Sequence, residues 1–122
     1  MRARLAISSA RVRCELREVV LRDKAPELLE ASPKGTVPVM VLPNGEVIAE
    51  SLDIMKWALG LNDPEGWLRG DETQQSTSDD LILRNDTTFK AALDGYKYSW
   101  KNPDSDPTTE RDIAAVSLRE LD

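Results

Sequence analysis

The sequence predicts a small α/β (α+β) domain with one thin mixed sheet, followed by part of an all-α domain. Two observations predict this order. Segments of strand length occupy the first half of the chain: residues 14–20, where apolar and charged side chains alternate, and the apolar runs 37–42 and 46–49. Apolar residues at helical spacing dominate after residue 78. The 122 residues suffice for one ordinary domain, or for one small domain and part of another.

The first elements alternate between helix and strand. Residues 1–10 are rich in strong helix formers and predict a helix with no capping residue ahead of it. Apolar side chains that alternate with charged ones predict a strand over residues 14–20. Pro26 suits a first helical turn, because its missing N–H would be unpaired there anyway. A short helix is therefore expected over residues 25–31.

A hairpin and a helix complete the first half. The apolar runs 37–42 and 46–49 are joined by the tight-turn sequence Pro43-Asn44-Gly45, which predicts two antiparallel strands. Ser51 is a favourable N-cap residue, and the apolar residues after it share one helical face. A helix is therefore predicted over residues 51–59.

The second half is predicted to be helical. The predicted division is a first domain over residues 1–68, a linker over 69–77 and a helical domain over 78–122. A long amphipathic helix is expected over 78–100, followed by a break over residues 101–107 and by another helix to the end of the chain. The apolar face of the long helix comprises Ile82, Phe89, Leu93, Tyr96 and Trp100.

Composition excludes several classes of function. The net charge of −6 and a pI near 4.7 would repel phosphate backbones, which disfavours nucleic acid as a partner. No apolar run could span a bilayer and no signal peptide is recognisable, so we expect a cytoplasmic protein without a membrane partner. With no histidine, the usual zinc sites and Ser-His or Cys-His pairs are excluded, and no metal is expected. The single cysteine, Cys14, is expected to be a small buried apolar side chain rather than a reactive thiol.

Two places could bind a ligand. Pro38 has no N–H for a sheet ladder and belongs at a strand entrance or edge. If the Val37-Pro38 bond is cis, the backbone of Val37 could pair with an extended peptide-like ligand, and the alternative is an ordinary trans proline. Ser51 is either a plain helix cap or a hydroxyl that holds a carboxylate at the positive end of the helix. Glu50 is either a partner for an ammonium group or a solvated acid.

The segment SPKGTVPVMVLPNGEVIAESLDIMKWAL, residues 32–59, resembles the second half of the thioredoxin-like N-terminal domain of glutathione S-transferases. The similarity extends back through ELREVVLRDKAPELLEASPKGTVPV, which begins at residue 15. Within the superfamily the segment is most similar to the bacterial, glutaredoxin-like branch. RNDTTFKAALDGYKY, residues 84–98, resembles more loosely the first helix of the family's all-helical C-terminal domain.

This resemblance implies a binding site for glutathione as a substrate. Val37 would pair through its backbone with the cysteinyl part of glutathione, beside a cis Pro38. Glu50 and Ser51 would hold the α-amino and α-carboxylate groups of the γ-glutamyl end. A small electrophile or a mixed disulfide would be the second substrate.

The other end of glutathione is a separate expectation. Lys34 or Thr36 would reach the glycyl carboxylate, a contact that varies within the family. The resemblance also allows a homodimer, with the apolar helix after the linker as its surface.

The resemblance also implies what this sequence lacks. Related proteins have a strand and a loop ahead of the helix that here begins at Met1, and that loop carries a catalytic Cys, Ser or Tyr. We therefore expect a thioredoxin-like domain lacking its first strand and a helical domain cut short, with no catalytic residue. Cys14 lies at the head of the next predicted strand and cannot substitute.

Three functions remain open from the sequence. The first is a glutathione S-transferase-like enzyme that transfers glutathione to electrophiles or reduces mixed disulfides, impaired in this truncated chain. The second is a non-catalytic module that binds glutathione or a protein. The third is an inactive gene fragment.

Overall fold

The computed structural model describes residues 1–68, 70–101 and 105–121. The chain divides into two compact units, Met1–Arg69 and Gly70–Asp122. Across the three described ranges, no helix combines the length and the apolar character that a membrane span needs. Position 69 of the predicted linker, positions 102–104 of the predicted break and position 122 lie outside the described residues.

Over residues 1–68, the first unit contains three helices and one hairpin. Their bounds are α1, Arg2–Ser9; α2, Pro26–Ala31; β1, Met40–Val41; β2, Val47–Ile48; and α3, Ser51–Leu61. The predicted helices over 1–10 and 25–31 are confirmed. The helix predicted over 51–59 is confirmed and extends to Leu61.

The hairpin is confirmed, but its strands are shorter than predicted. In the antiparallel pair, Met40 lies opposite Ile48 and Val41 lies opposite Val47. The turn between them relies on Gly45, whose φ of +86° lies in the left-handed region that favours glycine. Pro38 cannot donate to a ladder, and an isolated two-stranded ribbon is only marginally stable, so the pairing is confined to two residues on each side.

The strand predicted over residues 14–20 does not form. The only bridge in this segment joins Val20 to Asp23, where the Asp23 N–H donates to the Val20 carbonyl at 3.0 Å. In the described part of the chain, the only sheet is the hairpin, so residues 14–19 have no strand with which to form a ladder. Cys14 is exposed, and the prediction of a buried side chain was wrong. Its neighbour Leu16 is also exposed, because an extended segment without a partner strand has no covered face.

The core of the first unit lies between α1 and α3. Its buried centre comprises Ala6, Ala10, Ala58 and Leu59, and Ile54 is the largest fully buried side chain. The short alanine side chains let the two helices approach closely. Partly buried apolar residues surround this centre: Ile7, Val12, Met55 and Trp57.

Over residues 70–101 and 105–121, all regular structure of the second unit is helical. It contains α4, Glu72–Arg84; a π-helical turn, Asn85–Phe89; α5, Lys90–Lys97; a 3₁₀ turn, Ser99–Lys101; and α6, Pro107–Arg119. The helix predicted over 78–100 is therefore divided into several segments. It also begins earlier, at Glu72, within the sequence that was predicted to be a linker.

Side-chain caps explain where two of these helices begin. The Asp71 carboxylate accepts from the Gln74 N–H, while the Gln74 side chain accepts from the Asp71 N–H, which forms a capping box ahead of α4. Asp106 caps α6 without a reciprocal bond, by accepting from the N–H groups of Thr108 and Thr109, two and three residues further on. Both helix starts therefore depend on the carboxylate of an aspartate at the N-cap.

The second unit has a small buried core. Ala92 of α5 and Ala114 of α6 are buried. Of the predicted apolar face, Phe89 and Leu93 are half-buried, and Tyr96 remains 46% exposed. The face that the sequence predicted is therefore covered only in part within this unit.

Candidate functional site

The loop between α2 and β1 is shaped by a tight turn. The Gly35 N–H donates to the carbonyl of the buried Ser32 at 2.7 Å. Gly35 has a φ of +58°, and a Cβ at this position would lie 2.9 Å from Leu29 Cδ2. Glycine is favoured here by both the left-handed backbone and the close approach. The turn places Lys34 and Thr36 on the exposed side of the loop.

The Val37-Pro38 peptide bond is cis. The sequence alone had left cis and trans as alternatives. Val37 is 45% exposed, and within residues 1–68 its N–H and C=O pair with no other backbone group. A backbone donor and a backbone acceptor without a backbone partner in this range therefore lie at the entrance to β1, and pairing with an added extended chain requires such groups.

Glu50 precedes α3 and is its N-cap residue. Its backbone is extended, its carbonyl accepts from the Ile54 N–H at 3.0 Å, and its side chain makes no capping hydrogen bond. Ser51, which the sequence predicted as the cap, is instead the first helical residue. The first turn of α3 therefore has no side-chain cap, and its N–H groups carry the partial positive charge of the helix end.

Two cationic side chains flank this helix start. Lys34 Nζ lies 3.5 Å from Glu50 Oε1, and both side chains are exposed. Arg2 Nε donates to Ser51 Oγ at 2.9 Å in a partly buried hydrogen bond. A carboxylate, a hydroxyl and two cations therefore stand together at the N-terminus of the 11-residue helix α3.

Sequence reasoning predicted most of these groups and missed one. Lys34 and Glu50 are brought into contact, and Thr36, Val37 and Pro38 follow one another along the adjoining loop. Arg2 was missed, because it lies 49 positions from Ser51 and belongs to no local motif. Only the packing of α1 against α3 brings it to the site.

Comparison with known families gives one match. The family model described as glutathione S-transferase, N-terminal domain, matches residues 1–66, which is more than half of the 122-residue chain. The chain belongs to the glutathione S-transferase family. The six residues that the resemblance indicated for glutathione binding, from Lys34 to Ser51, lie within the matched range. The bacterial, glutaredoxin-like branch stays a prediction.

Comparisons with curated proteins and with solved structures found no match for this glutathione S-transferase family chain. The family match confirms the resemblance that residues 15–59 carried, and the two-stranded hairpin among helices is compatible with the thioredoxin-like N-terminal domain.

Proposed function

We propose that this chain binds glutathione at the start of α3 and along the loop that precedes β1. The observation that carries the proposal is that Glu50 and Ser51 are the N-cap residue and the first residue of a helix that has no side-chain cap. Glutathione carries an ammonium group and a carboxylate on a single carbon of its γ-glutamyl end. A carboxylate that attracts the ammonium group, next to a hydroxyl and a helix N-terminus that attract the carboxylate, suits such a zwitterion.

The γ-glutamyl end is assigned by charge. Glu50 would hold the ammonium group, and Ser51 together with the first-turn N–H groups would hold the α-carboxylate. Glu50 already contacts Lys34, but this pair is exposed on both sides and surface pairs contribute only about 0–1 kcal/mol. A ligand ammonium can therefore replace Lys34 at little cost.

The rest of the ligand would lie along the loop. The N–H and C=O of Val37, next to Pro38, would pair with the backbone of the cysteinyl residue, as one strand pairs with another. Lys34, once released from Glu50, or Thr36 would reach the glycyl carboxylate. Each charged group of glutathione then has a partner of opposite charge or a hydrogen-bond donor.

The reaction that we propose is transfer of glutathione to an electrophile or reduction of a mixed disulfide, in an impaired form. The proposed contacts hold the γ-glutamyl end, the backbone and the glycyl carboxylate of the ligand, and none of them is assigned to its thiol; the chain's single cysteine, Cys14, is exposed. These contacts would equally serve the second candidate, a non-catalytic module that binds glutathione.

Calorimetric titration of the full 122-residue chain with reduced glutathione tests the binding proposal. We expect saturable binding at one site and no binding of cysteinylglycine, which lacks the γ-glutamyl residue. Absence of binding at millimolar glutathione would overturn the proposal. Turnover of an aryl halide or of a glutathione mixed disulfide then distinguishes the enzyme from the non-catalytic module.

A further inference from the structure

We infer that Arg2 is a positioning residue that presents the Ser51 hydroxyl proton to a carboxylate bound at the start of α3. The inference rests on the proposed glutathione site and deepens it. Its basis is the hydrogen bond from Arg2 Nε to Ser51 Oγ, 2.9 Å long and partly buried. Arg2 would act through Ser51 rather than as a catalytic residue.

The direction of this hydrogen bond determines whether the Ser51 hydroxyl can still donate its proton. A hydroxyl has one proton to donate and two lone pairs with which to accept. A guanidinium only donates, so the bond from Arg2 occupies a lone pair of Ser51 Oγ and leaves the hydroxyl proton to be donated. A hydroxyl held in this way suits a carboxylate better than an ammonium group. This agrees with the proposed arrangement, in which Ser51 holds the carboxylate of the γ-glutamyl end and Glu50 holds the ammonium group.

The packing of two helices holds Arg2 in place. Arg2 is the first residue of α1, and Ala3 and Ala6, which follow it on that helix, are buried. The core shared by α1 and α3 therefore determines the distance between Arg2 and Ser51. Arg4, two residues further along α1, provides a contrast, because it pairs with Glu18 at the surface, where both side chains are more than half exposed.

A double-mutant cycle in the full chain tests this inference. The variants are Arg2→Met, which keeps an apolar stem without charge or donors, Ser51→Ala, and the two combined. Titration calorimetry measures binding of glutathione and of γ-aminobutyryl-cysteinylglycine, the analogue without the α-carboxylate. Arg4→Met is the matched control, and circular dichroism checks that each variant is folded.

If Arg2 acts through Ser51, each single variant should bind glutathione about 10-fold more weakly, as expected for loss of a hydrogen bond to a charged group. The double variant should be no weaker than Ser51→Ala. Arg2→Met should leave binding of the analogue unchanged, and Arg4→Met should leave glutathione binding within about 2-fold of wild type. A merely structural role of Arg2 would weaken binding of both ligands alike.

Several results would overturn the inference while leaving glutathione binding intact. The first is additive losses of glutathione affinity in the double-mutant cycle, and the second is an Arg2→Met variant that binds glutathione as tightly as wild type does. The third is an Arg2→Met variant in which the affinity for the analogue falls as much as the affinity for glutathione. If the wild-type chain fails to bind glutathione, the proposed function itself fails, and the inference falls with it. Should Arg2→Met not fold, the same cycle is run with Arg2→Lys, which keeps the charge but changes the position of the donor.

Discussion

Lys34 and Glu50 form an ion pair that joins the loop before β1 to the start of α3, with Nζ 3.5 Å from Oε1. Their side chains are 74% and 64% exposed. Water and salt screen such a pair, so it contributes little to the stability of the fold. The effect of Glu50 on ligand binding can therefore be measured separately from its effect on folding.

Glu50→Gln should separate these two effects. We expect the free energy of unfolding in urea to change by less than about 0.5 kcal/mol, because the ion pair is exposed. Affinity for glutathione should fall about 10-fold or more, since a neutral amide cannot offset the ammonium charge. Glu30→Gln, at an exposed position of α2, is the matched control. If the control weakens binding as much, the effect comes from net charge and not from the site.

Replacing either of two glycines by alanine should change the free energy of unfolding, but in opposite directions. Gly45 has a φ of +86°, so Gly45→Ala should destabilise the chain by about 1 kcal/mol even though a Cβ there meets nothing within 4 Å. Gly60 lies in α3 and also has open space around it, so Gly60→Ala should stabilise the chain by about 0.5 kcal/mol. Urea unfolding of both variants measures the difference. Changes of the same sign would contradict the backbone conformations described for these two residues.

The contact between α1 and α3 should not tolerate a larger side chain. Ala6 and Ala58 are both fully buried in the shared core. Ala6→Leu should lower the free energy of unfolding by about 1–3 kcal/mol, because the added methylene groups force the helices apart. Ser8→Leu, at an exposed position of the same helix, should change it by less than about 0.5 kcal/mol. Equal effects at the two positions would mean that α1 does not pack through Ala6.

The cap of α6 should weaken in acid. The pKa of Asp106 is lowered because the Thr109 hydroxyl and the N–H groups of Thr108 and Thr109 donate to its carboxylate. A group whose pKa is lower in the folded state stabilises that state above the unfolded pKa, which is about 3.9 for aspartate. This stabilisation is lost as the pH falls through the lower, folded value.

Amide hydrogen exchange of the first turn of α6 measures this loss. Protection of Thr108 and Thr109 should be constant from about pH 5 to 7 and should decrease below about pH 4. Asp106→Asn keeps a good capping residue that does not titrate, so in this variant the protection of Thr108 and Thr109 should not decrease in acid. In Asp106→Ala, these two amides should lack the protection at every pH. An Asn variant with the same acid response as wild type would exclude Asp106 as the cause.

The candidate site could be predicted where its residues are close together in the sequence. Glu50 and Ser51 are adjacent in sequence, and Lys34, Thr36, Val37 and Pro38 occupy one short loop, so their proximity required little tertiary information. The ion pair between Lys34 and Glu50 needed the hairpin to return the chain to the loop. The role of Ser51 as the first helical residue rather than the N-cap depended on a shift of one position, which capping preferences alone do not resolve.

By itself, the sequence determined the elements whose hydrogen bonds are satisfied within a few residues. Pro43-Asn44-Gly45 specified the hairpin turn, and Pro26 the start of α2, because turns and helix starts depend on backbone preferences of adjacent residues. Only the tertiary structure decided the state of residues 14–20, the exposure of Cys14 and the contact between Arg2 and Ser51. A strand needs a partner and a buried side chain needs a covering surface, and both are supplied by residues distant in sequence.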